Sequence, residues 1–595
     1  MSNNDQQNLT FFENLKQFLI DEDADSVMYL FTLHNDIIEN YAWDIVPIVS
    51  KYLTTSNAVI KKKFFKSCEY ILNKIAETCN PYETILQFLE QIELLDDDMK
   101  FFTLLKPVGI SFNKANDKSK IIEWCVSTIQ SYVQDLPIPI HNNSESNKNK
   151  SNDKKYSIQD RIINVYFHVV SFIHSIVRES NQIRIAHQDI VFKNYITAFL
   201  ISLLGSPFSY LREDLKGGNQ VEFLRNEILM LVFKLNEDPL YFLKFMKDRL
   251  VKNIETLKND SEEITPSVNK QLGKLEVLES EEIVPTFAYA NFYFYVLTQE
   301  ILWVKLPQVY HPYYIFQACI FLVGHLIDKH HIDLINKGFT FIEVLLKRLE
   351  KMSIGPSALE LEIYTNLLEK IVKVMVYCES HNERKRASSI FEKYILNTFN
   401  MEARYSIITH LYYRSHHSGV LGLVTGLVKT SIIQSLETTP RCIYFFGNNL
   451  KSLLKHACNL AHGSTTDLIE ISDEIIAGLN LLRFLFIRDR SNETGIWDLI
   501  HTLENNFLKP LRQGIDLSKA HWRTKIKDLE EAKSNRSHSS CETEAAKVIL
   551  TVGNQNLPAM PIEQKLEISH QILCGLDVME SLLIRVDECI VNNPI

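Results

Sequence analysis

The run Asp467 to Lys533, DLIEISDEIIAGLNLLRFLFIRDRSNETGIWDLIHTLENNFLKPLRQGIDLSKAHWRTKIKDLEEAK, decides how this chain is read. Its apolar residues recur every three or four positions and never alternate over strand length, which predicts helix throughout. Three helices are expected, Glu474 to Arg488, Ile496 to Leu508 and Leu511 to Lys533, parted by a charged turn and by Pro510. In the first, Ile475, Leu479, Leu482 and Phe486 form one stripe, but Leu481, Phe484 and Leu485 occupy other sides. Such a helix is buried nearly all round and needs neighbours on both faces. The second is amphipathic, with Ile496, Ile500, Leu503 and Phe507 inward and Trp497, Glu504, Asn505 and Lys509 on the flank or outside.

The same period extends in both directions. Upstream, segments at Leu9 to Ile20, Asp25 to Glu39, Ala42 to Tyr52, Ile60 to Thr78 and Pro81 to Ile92 read as helices, the last with Asn80 and Pro81 as cap and first-turn pair. Helices resume at Ile158 and continue to Val251, then become paired from His331, as in Ile332 to Met352 and Leu359 to Tyr377. In the latter, Ile363, Leu367, Ile371, Val374 and Cys378 mark the inner stripe. A long helix from Ile562 to Ile590 closes the chain, striped by Leu566, Leu573, Leu576, Leu583, Val586 and Ile590. Consecutive paired helices over 595 residues, without a clean fixed period, predict an all-α fold: an α-solenoid of degenerate HEAT/armadillo-like helical repeats. An irregular set of helical bundles is the alternative.

Three polar stretches interrupt the pattern. Residues 141–157 contain almost no large apolar side chain and cannot offset the entropy of ordering, so a disordered insert is expected there. Further polar stretches lie at Lys258 to Gln271 and at about 534–545, the latter holding Ser537, Ser539 and Ser540 within reach of a kinase; Val548 to Val552 reads as a lone strand or an extended connection. The chain is therefore divided into an N-terminal region, 1–328, and a C-terminal region, 329–595.

Composition agrees with helices and excludes several functions. Glycine (18) and proline (17) are each about 3% of the chain, too few for the many tight turns of an all-β fold. The net charge of −10, with no basic block interleaved with aromatics, excludes the electrostatic footprint of a nucleic-acid binder; KKKFFK at Lys61 to Lys66 reads as a solvated helix face. Ten cysteines stand singly, without a C-x-x-C pair, as in a reducing compartment. The N-terminus lacks a basic start followed by an apolar block, so a cytoplasmic and also nuclear location is expected. Leu306 to Ile327 has no Asp, Glu, Lys or Arg, yet Pro307, His311, Pro312 and His325 shorten its apolar part, and a buried helix starting after Pro312 is expected, with no membrane insertion.

No catalytic signature emerges. There is no phosphate loop, dinucleotide fingerprint, H-E-x-x-H or G-x-S-x-G elbow. The glycines at Gly419, Gly422 and Gly426 read as a tightly packed helix capped by Ser418, and the histidines at His410, His416 and His417, or His456 and His462, lack a completing ligand. Carboxylates at Asp96 to Asp98 and at Glu281 and Glu282 read as solvated turns. A non-enzymatic reading follows: no catalytic residue, no cofactor and no metal is assigned.

The runs GLNLLRFL (Gly478 to Leu485), NETGIWDLI (Asn492 to Ile500), ENNFLKPL (Glu504 to Leu511) and DLSKAH (Asp516 to His521) resemble, in order and separation, the C-terminal part of the glomulin family. Looser echoes are AWDIVPIV at Ala42, CNPYETILQFLEQIE at Cys79, LPIP at Leu136, IVKVMVYC at Ile371, HHSGV at His416 and LPAMPIEQKLEISHQIL at Leu557. The resemblance spans essentially the whole chain, tightest after Ile371. It implies a monomeric helical-repeat protein that binds the RING-box subunit of cullin-RING ubiquitin ligases, and through it cullins, and blocks the encounter with the ubiquitin-conjugating enzyme. A generic adaptor scaffold for other client proteins is the alternative function.

Two readings of the Trp497 to Lys509 run stand side by side. In one, Trp497, Glu504, Asn505 and Lys509, with Arg483 and the His416–His417 turn, form a polar-rimmed aromatic surface that meets the RING. In the other, Trp497 packs on the preceding helix and Asn505 and Asn506 satisfy backbone groups beside Pro510, so that the run is a corner of the scaffold.

Overall fold

A computed structural model describes residues 3–94, 97–139, 157–182, 190–213, 217–246, 248–249, 276–438, 442–536, 551–552, 555–556 and 560–592. The expected inserts at 141–157 and 258–271 fall outside these, apart from residue 157, as do the serines of the third. The fold is an all-α solenoid of helical repeats, in two compact units, Met1–Arg348 and Leu349–Ile595. Among the described residues the strands are Thr551–Val552 and Gln555–Asn556, a two-residue antiparallel pair.

In the first unit the helices stack in two layers. Lys62–Thr78, Asp98–Lys114, Ile158–Gln182 and Gly218–Leu235 pack in succession in one layer, and Asn35–Ser50, Pro81–Glu93, Lys118–Gln134, Ile190–Leu203 and Thr286–Thr298 in the other. Each helix packs on the next of its own layer, and contacts such as those of Pro81–Glu93 with Asp98–Lys114 and of Ile190–Leu203 with Gly218–Leu235 join the layers, the near-neighbour pattern of a repeat array. Local chemistry sets the boundaries. The Asn80 side chain accepts from the Tyr82 N–H at 3.1 Å, Pro81 supplies the first turn, and Ile85, Phe88, Leu89 and Ile92 are buried beneath. The apolar span begins its helix at Pro312, capped by His311, and buries Phe316, Cys319, Ile320, Val323 and Leu326. Two other apolar stretches are long enough by composition to cross a membrane, Ile190–Tyr210 and Ser418–Glu437, and are 67% and 44% buried here.

Of the carboxylates expected to be solvated, Asp97, Asp98 and Glu281 prove to tie segments together, Glu282 is exposed as expected, and Asp96 lies outside the described residues. Asp97 accepts from Met99 N at 2.8 Å and, from an earlier turn, from Thr55 N at 2.8 Å and Thr55 Oγ1 at 2.6 Å. Asp98 receives two bonds from Arg161, at 2.7 and 2.8 Å, and one from the Tyr132 hydroxyl at 2.6 Å, joining three helices. Burial pushes the Asp98 pKa up, but these bonds outweigh it and hold it below the usual carboxylate range. Glu281 likewise accepts from Thr286 N at 2.8 Å and pairs with the buried Arg249 at 2.7 Å. Sequence alone hides this because the partners lie far along the chain.

The second unit is organised as expected around the helix Ser472–Arg488, which buries Ile475, Leu479, Leu481, Leu482, Leu485 and Phe486. It packs on Ser418–Glu437, on Gly447–Ala457 and on the terminal helix Ile562–Val591. Small residues allow the close approach: a Cβ on Gly478 would lie 2.6 Å from the Ala457 carbonyl, and one on Gly422 3.2 Å from that of Asp473. Ser418 does not cap its own helix; its hydroxyl accepts from Glu474 N at 3.3 Å and so helps cap the neighbouring one. Arg404 is fully buried, with no carboxylate in ion-pair distance among the described residues. Its guanidinium donates to the Leu396 carbonyl at 2.8 Å, at the end of His381–Thr398, and to Gln434 Oε1 at 2.6 Å, and burial lowers its pKa to about 10. In the terminal helix Leu576, Met579, Leu583 and Val586 are buried, while Leu566, Leu573 and Ile590 are half-buried at its margins.

Candidate functional site

The loop after Arg488 explains why DRSNETGIW has its sequence. Asp489, 3% exposed, accepts from Glu493 N at 2.8 Å, Thr494 N at 2.7 Å and Thr494 Oγ1 at 2.5 Å. Asn492 and Gly495 adopt φ of +55° and +81°, conformations that Asn and Gly tolerate best. The Asn492 side chain accepts from Trp497 N at 3.1 Å and donates to Asp498 at 3.0 Å. The loop is thus a self-satisfied polar knot, seated on the next helix by a 2.9 Å bond from Gly447 N to the Thr494 carbonyl.

Trp497 lies inside this structure. It is 6% exposed, its ring meets Phe486 edge-on at 5.1 Å, and its indole N–H donates to the Asp489 carbonyl at 2.5 Å. Its side chain therefore has almost no outward face, and it packs on the preceding helix.

The expected helix from Ile496 to Leu508 divides into three. Trp497–Leu499 is a 3₁₀ turn, Ile500–Leu503 an α-helical turn, and Glu504–Leu508 a π turn that runs straight into the helix Lys509–Arg536. Pro510 does not break the chain's course as the sequence suggests. The Lys509 N–H bonds to the Glu504 carbonyl, five residues back, and the widened turn accommodates a residue that has no N–H. Phe507 and Leu508 are buried, and Asp498, His501, Asn505, Lys509 and Gln513 follow one another at three- and four-residue spacing as an exposed polar ridge.

Glu504 is half-buried and accepts from Arg512 at 3.2 Å; the same guanidinium reaches Asp587 of the terminal helix at 3.0 and 3.1 Å. Seven residues on, Lys519, 5% exposed, contacts Asp577 at 2.5 Å and Glu580 at 2.6 Å. Burial would lower the pKa of both cations, but the carboxylates outweigh it and raise them above their ordinary values. The ridge is thereby braced by two ion-pair ties to Ile562–Val591. Arg512 and Lys519 were not singled out by sequence reading, because their partners on the terminal helix, Asp577, Glu580 and Asp587, stand dozens of residues downstream.

The other candidates lie apart. His416 and His417 are exposed at the start of Ser418–Glu437, where Gly419 adjoins both His417 and Asp473. Arg483, half-buried, is ten residues beyond Asp473 on the neighbouring helix, about 15 Å at the rise of an α-helix. The structure brings Glu504, Asn505 and Lys509 together on one turn and places His416–His417 well along the helix from Arg483. Among the described residues no group of three or more His, Cys, Asp or Glu could hold a metal ion.

Residues 19–568 match the model of a family described as an uncharacterised protein family, YAP/Alf4/glomulin. Glomulin of Homo sapiens is 28% identical over 567 residues, 93% of this chain and 88% of that protein. Glomulin of Mus musculus is 28% identical over 561 residues, with the same shares. A solved circular tandem repeat protein with novel repeat topology matches 98% of this chain and 97% of its own at 10% identity, with a TM-score of 0.14 that carries no structural argument.

Proposed function

The chain belongs to the YAP/Alf4/glomulin family, and from that premise we propose that it is a non-enzymatic inhibitor of cullin-RING ubiquitin ligases that binds the RING domain of the RING-box subunit. The observation that carries the reading is the match to glomulins over 93% of the chain. The mechanism is steric. A RING activates a ubiquitin-conjugating enzyme through a small surface beside its zinc sites, and a rigid helical face laid over that surface stops catalysis without chemistry of its own. A stable contact of this kind buries about 1,600 Å² in total and rests on a few central anchors within a polar rim.

Asn505 and Lys509 are the members of the candidate set that stand on the braced ridge, with His501 and Gln513 beside them. Trp497 and Glu504 act beneath as positioning residues, one filling the floor of the knot and the other fixing Arg512. The net charge of −10 favours encounter with a basic partner, a matter of rate more than of affinity. A cytoplasmic and nuclear location suits this role. The test is size exclusion of the purified protein mixed with a RING-box and cullin subcomplex: co-elution is expected, and separate elution would instead favour an adaptor scaffold for other clients.

A further inference from the structure

The layer of the first unit that holds the helix Ile158–Gln182 carries two neighbouring grooves, one on each side of that helix. The first, about 340 Å³, lies against Asp98–Lys114 and is walled by Phe102, Ile110 and Phe172. His168 stacks on Phe102 with ring centroids 4.1 Å apart, and Lys106 and Asn113 line the same groove. The Asn113 Oδ1 is buried and has no hydrogen-bond partner, an acceptor left open beside an apolar wall. The second, about 440 Å³, lies against Gly218–Leu235 and is walled by Met230, Leu231 and Phe233, with Lys234 and Lys305 at its edge. Met230 is 46% exposed, and its thioether, against which Lys305 rests at 3.6 Å, can adapt to an incoming side chain.

Charge around the second groove is unbalanced. His174 contacts Glu227 at 2.8 Å, so that carboxylate is occupied. Lys234 and Lys305 have no carboxylate within ion-pair distance among the described residues, and Glu237 is the remaining acid of the lining. Lys106, largely in solvent, holds the half-buried Glu69 at 3.6 Å, a long tie that a closer carboxylate can replace.

We propose that these grooves bind an extended peptide segment of a partner protein, with apolar side chains three residues apart and an acidic residue beside the second. The spacing follows from the fold. Grooves on either side of one helix are separated by about 8–10 Å, the usual distance between packed helices. An extended chain of the polyproline-II kind, with three residues per turn at about 3.1 Å each, covers that span in three residues and returns its side chain to the same face. A segment crossing the helix places one anchor between Phe102 and Phe172 and the next beside Met230. Its acid meets Lys234 and Lys305, and a backbone N–H reaches Asn113 Oδ1.

The test selects phage-displayed random dodecapeptides on the immobilised full-length protein. The counter-target is a variant carrying Ser171→Trp, which fills the first groove from an exposed position, with Lys234→Glu and Lys305→Glu. All three positions are exposed, so an unchanged melting curve is required of the variant before selection. The expected result is an enriched consensus of two apolar residues at a spacing of three with an adjoining acid. A synthetic peptide of that consensus should bind the variant at least tenfold more weakly and lose affinity as salt is raised. Enrichment of the same clones on the variant, a consensus lacking either feature, or no enrichment at all would overturn the proposal. So would a variant whose sole defect is loss of binding to phosphatidylserine vesicles or loss of self-association, which would assign the face to a membrane or to a second copy.

Discussion

Replacing Trp497 with alanine separates scaffold from interface. The indole is 6% exposed, rests on Phe486 and donates to the Asp489 carbonyl at 2.5 Å. Truncation of a buried tryptophan costs about 3–5 kcal/mol through lost burial and the cavity left behind. The carbonyl of Asp489 loses its donor as well, which by itself costs about 1–3 kcal/mol if water cannot enter. Trp497→Phe keeps the ring contact and loses the donor, so its cost should fall near the latter figure. The assay is urea unfolding followed by far-ultraviolet circular dichroism, attending to the transition of the second unit, since two units need not unfold together. The variants should order as wild type, Trp497→Phe, Trp497→Ala, and RING-box binding should decline only as the unit melts. A Trp497→Ala protein within about 1 kcal/mol of wild type that nonetheless loses binding would refute the reasoning and return the residue to the contact surface.

Lys519→Ala should destabilise the second unit by about 1 kcal/mol in the same assay, because it removes the tie to Asp577 and Glu580, whose side chains are 62% and 42% exposed and so weaken the loss by solvent screening; a neutral result would mean that the terminal helix is not held there. Asp98 gives a pH dependence. Its folded pKa lies below the unfolded value, so its contribution is present above about pH 4 and is lost as pH falls through the folded pKa. Acid titration of Asp98→Asn against wild type should show the difference in stability of the first unit shrinking below pH 4, and a constant difference would contradict the Arg161 tie.

Helix limits were legible where caps and prolines announce them, as at Asn80–Pro81, Pro312 and Pro561, and so was the buried stripe of Ser472–Arg488. Three kinds of feature were not. The π turn at Glu504–Leu508 depends on tertiary support that lets Pro510 sit inside a continuing helix, whereas local rules place a break there. The roles of Asp98, Arg512 and Lys519 reside in partners dozens of residues away, beyond any periodicity. Trp497 reads equally well as flank or floor until the Asp489 knot is seen to close over it. Within the candidate set, helical spacing puts Glu504, Asn505 and Lys509 on one stretch of helix surface, and the structure places them on one turn, but nothing local gives the separation of His416–His417 from Arg483, which follows from the parallel packing of their two helices.

The most direct measurement is discharge of ubiquitin from a charged conjugating enzyme by a RING-box and cullin subcomplex, titrated with the full-length protein and with Lys509→Glu. The account predicts that the wild type stops discharge at near-stoichiometric amounts, and that Lys509→Glu, with unchanged unfolding, inhibits at least tenfold more weakly, about 1.4 kcal/mol in affinity. Undiminished discharge in the presence of excess folded wild-type protein would contradict it.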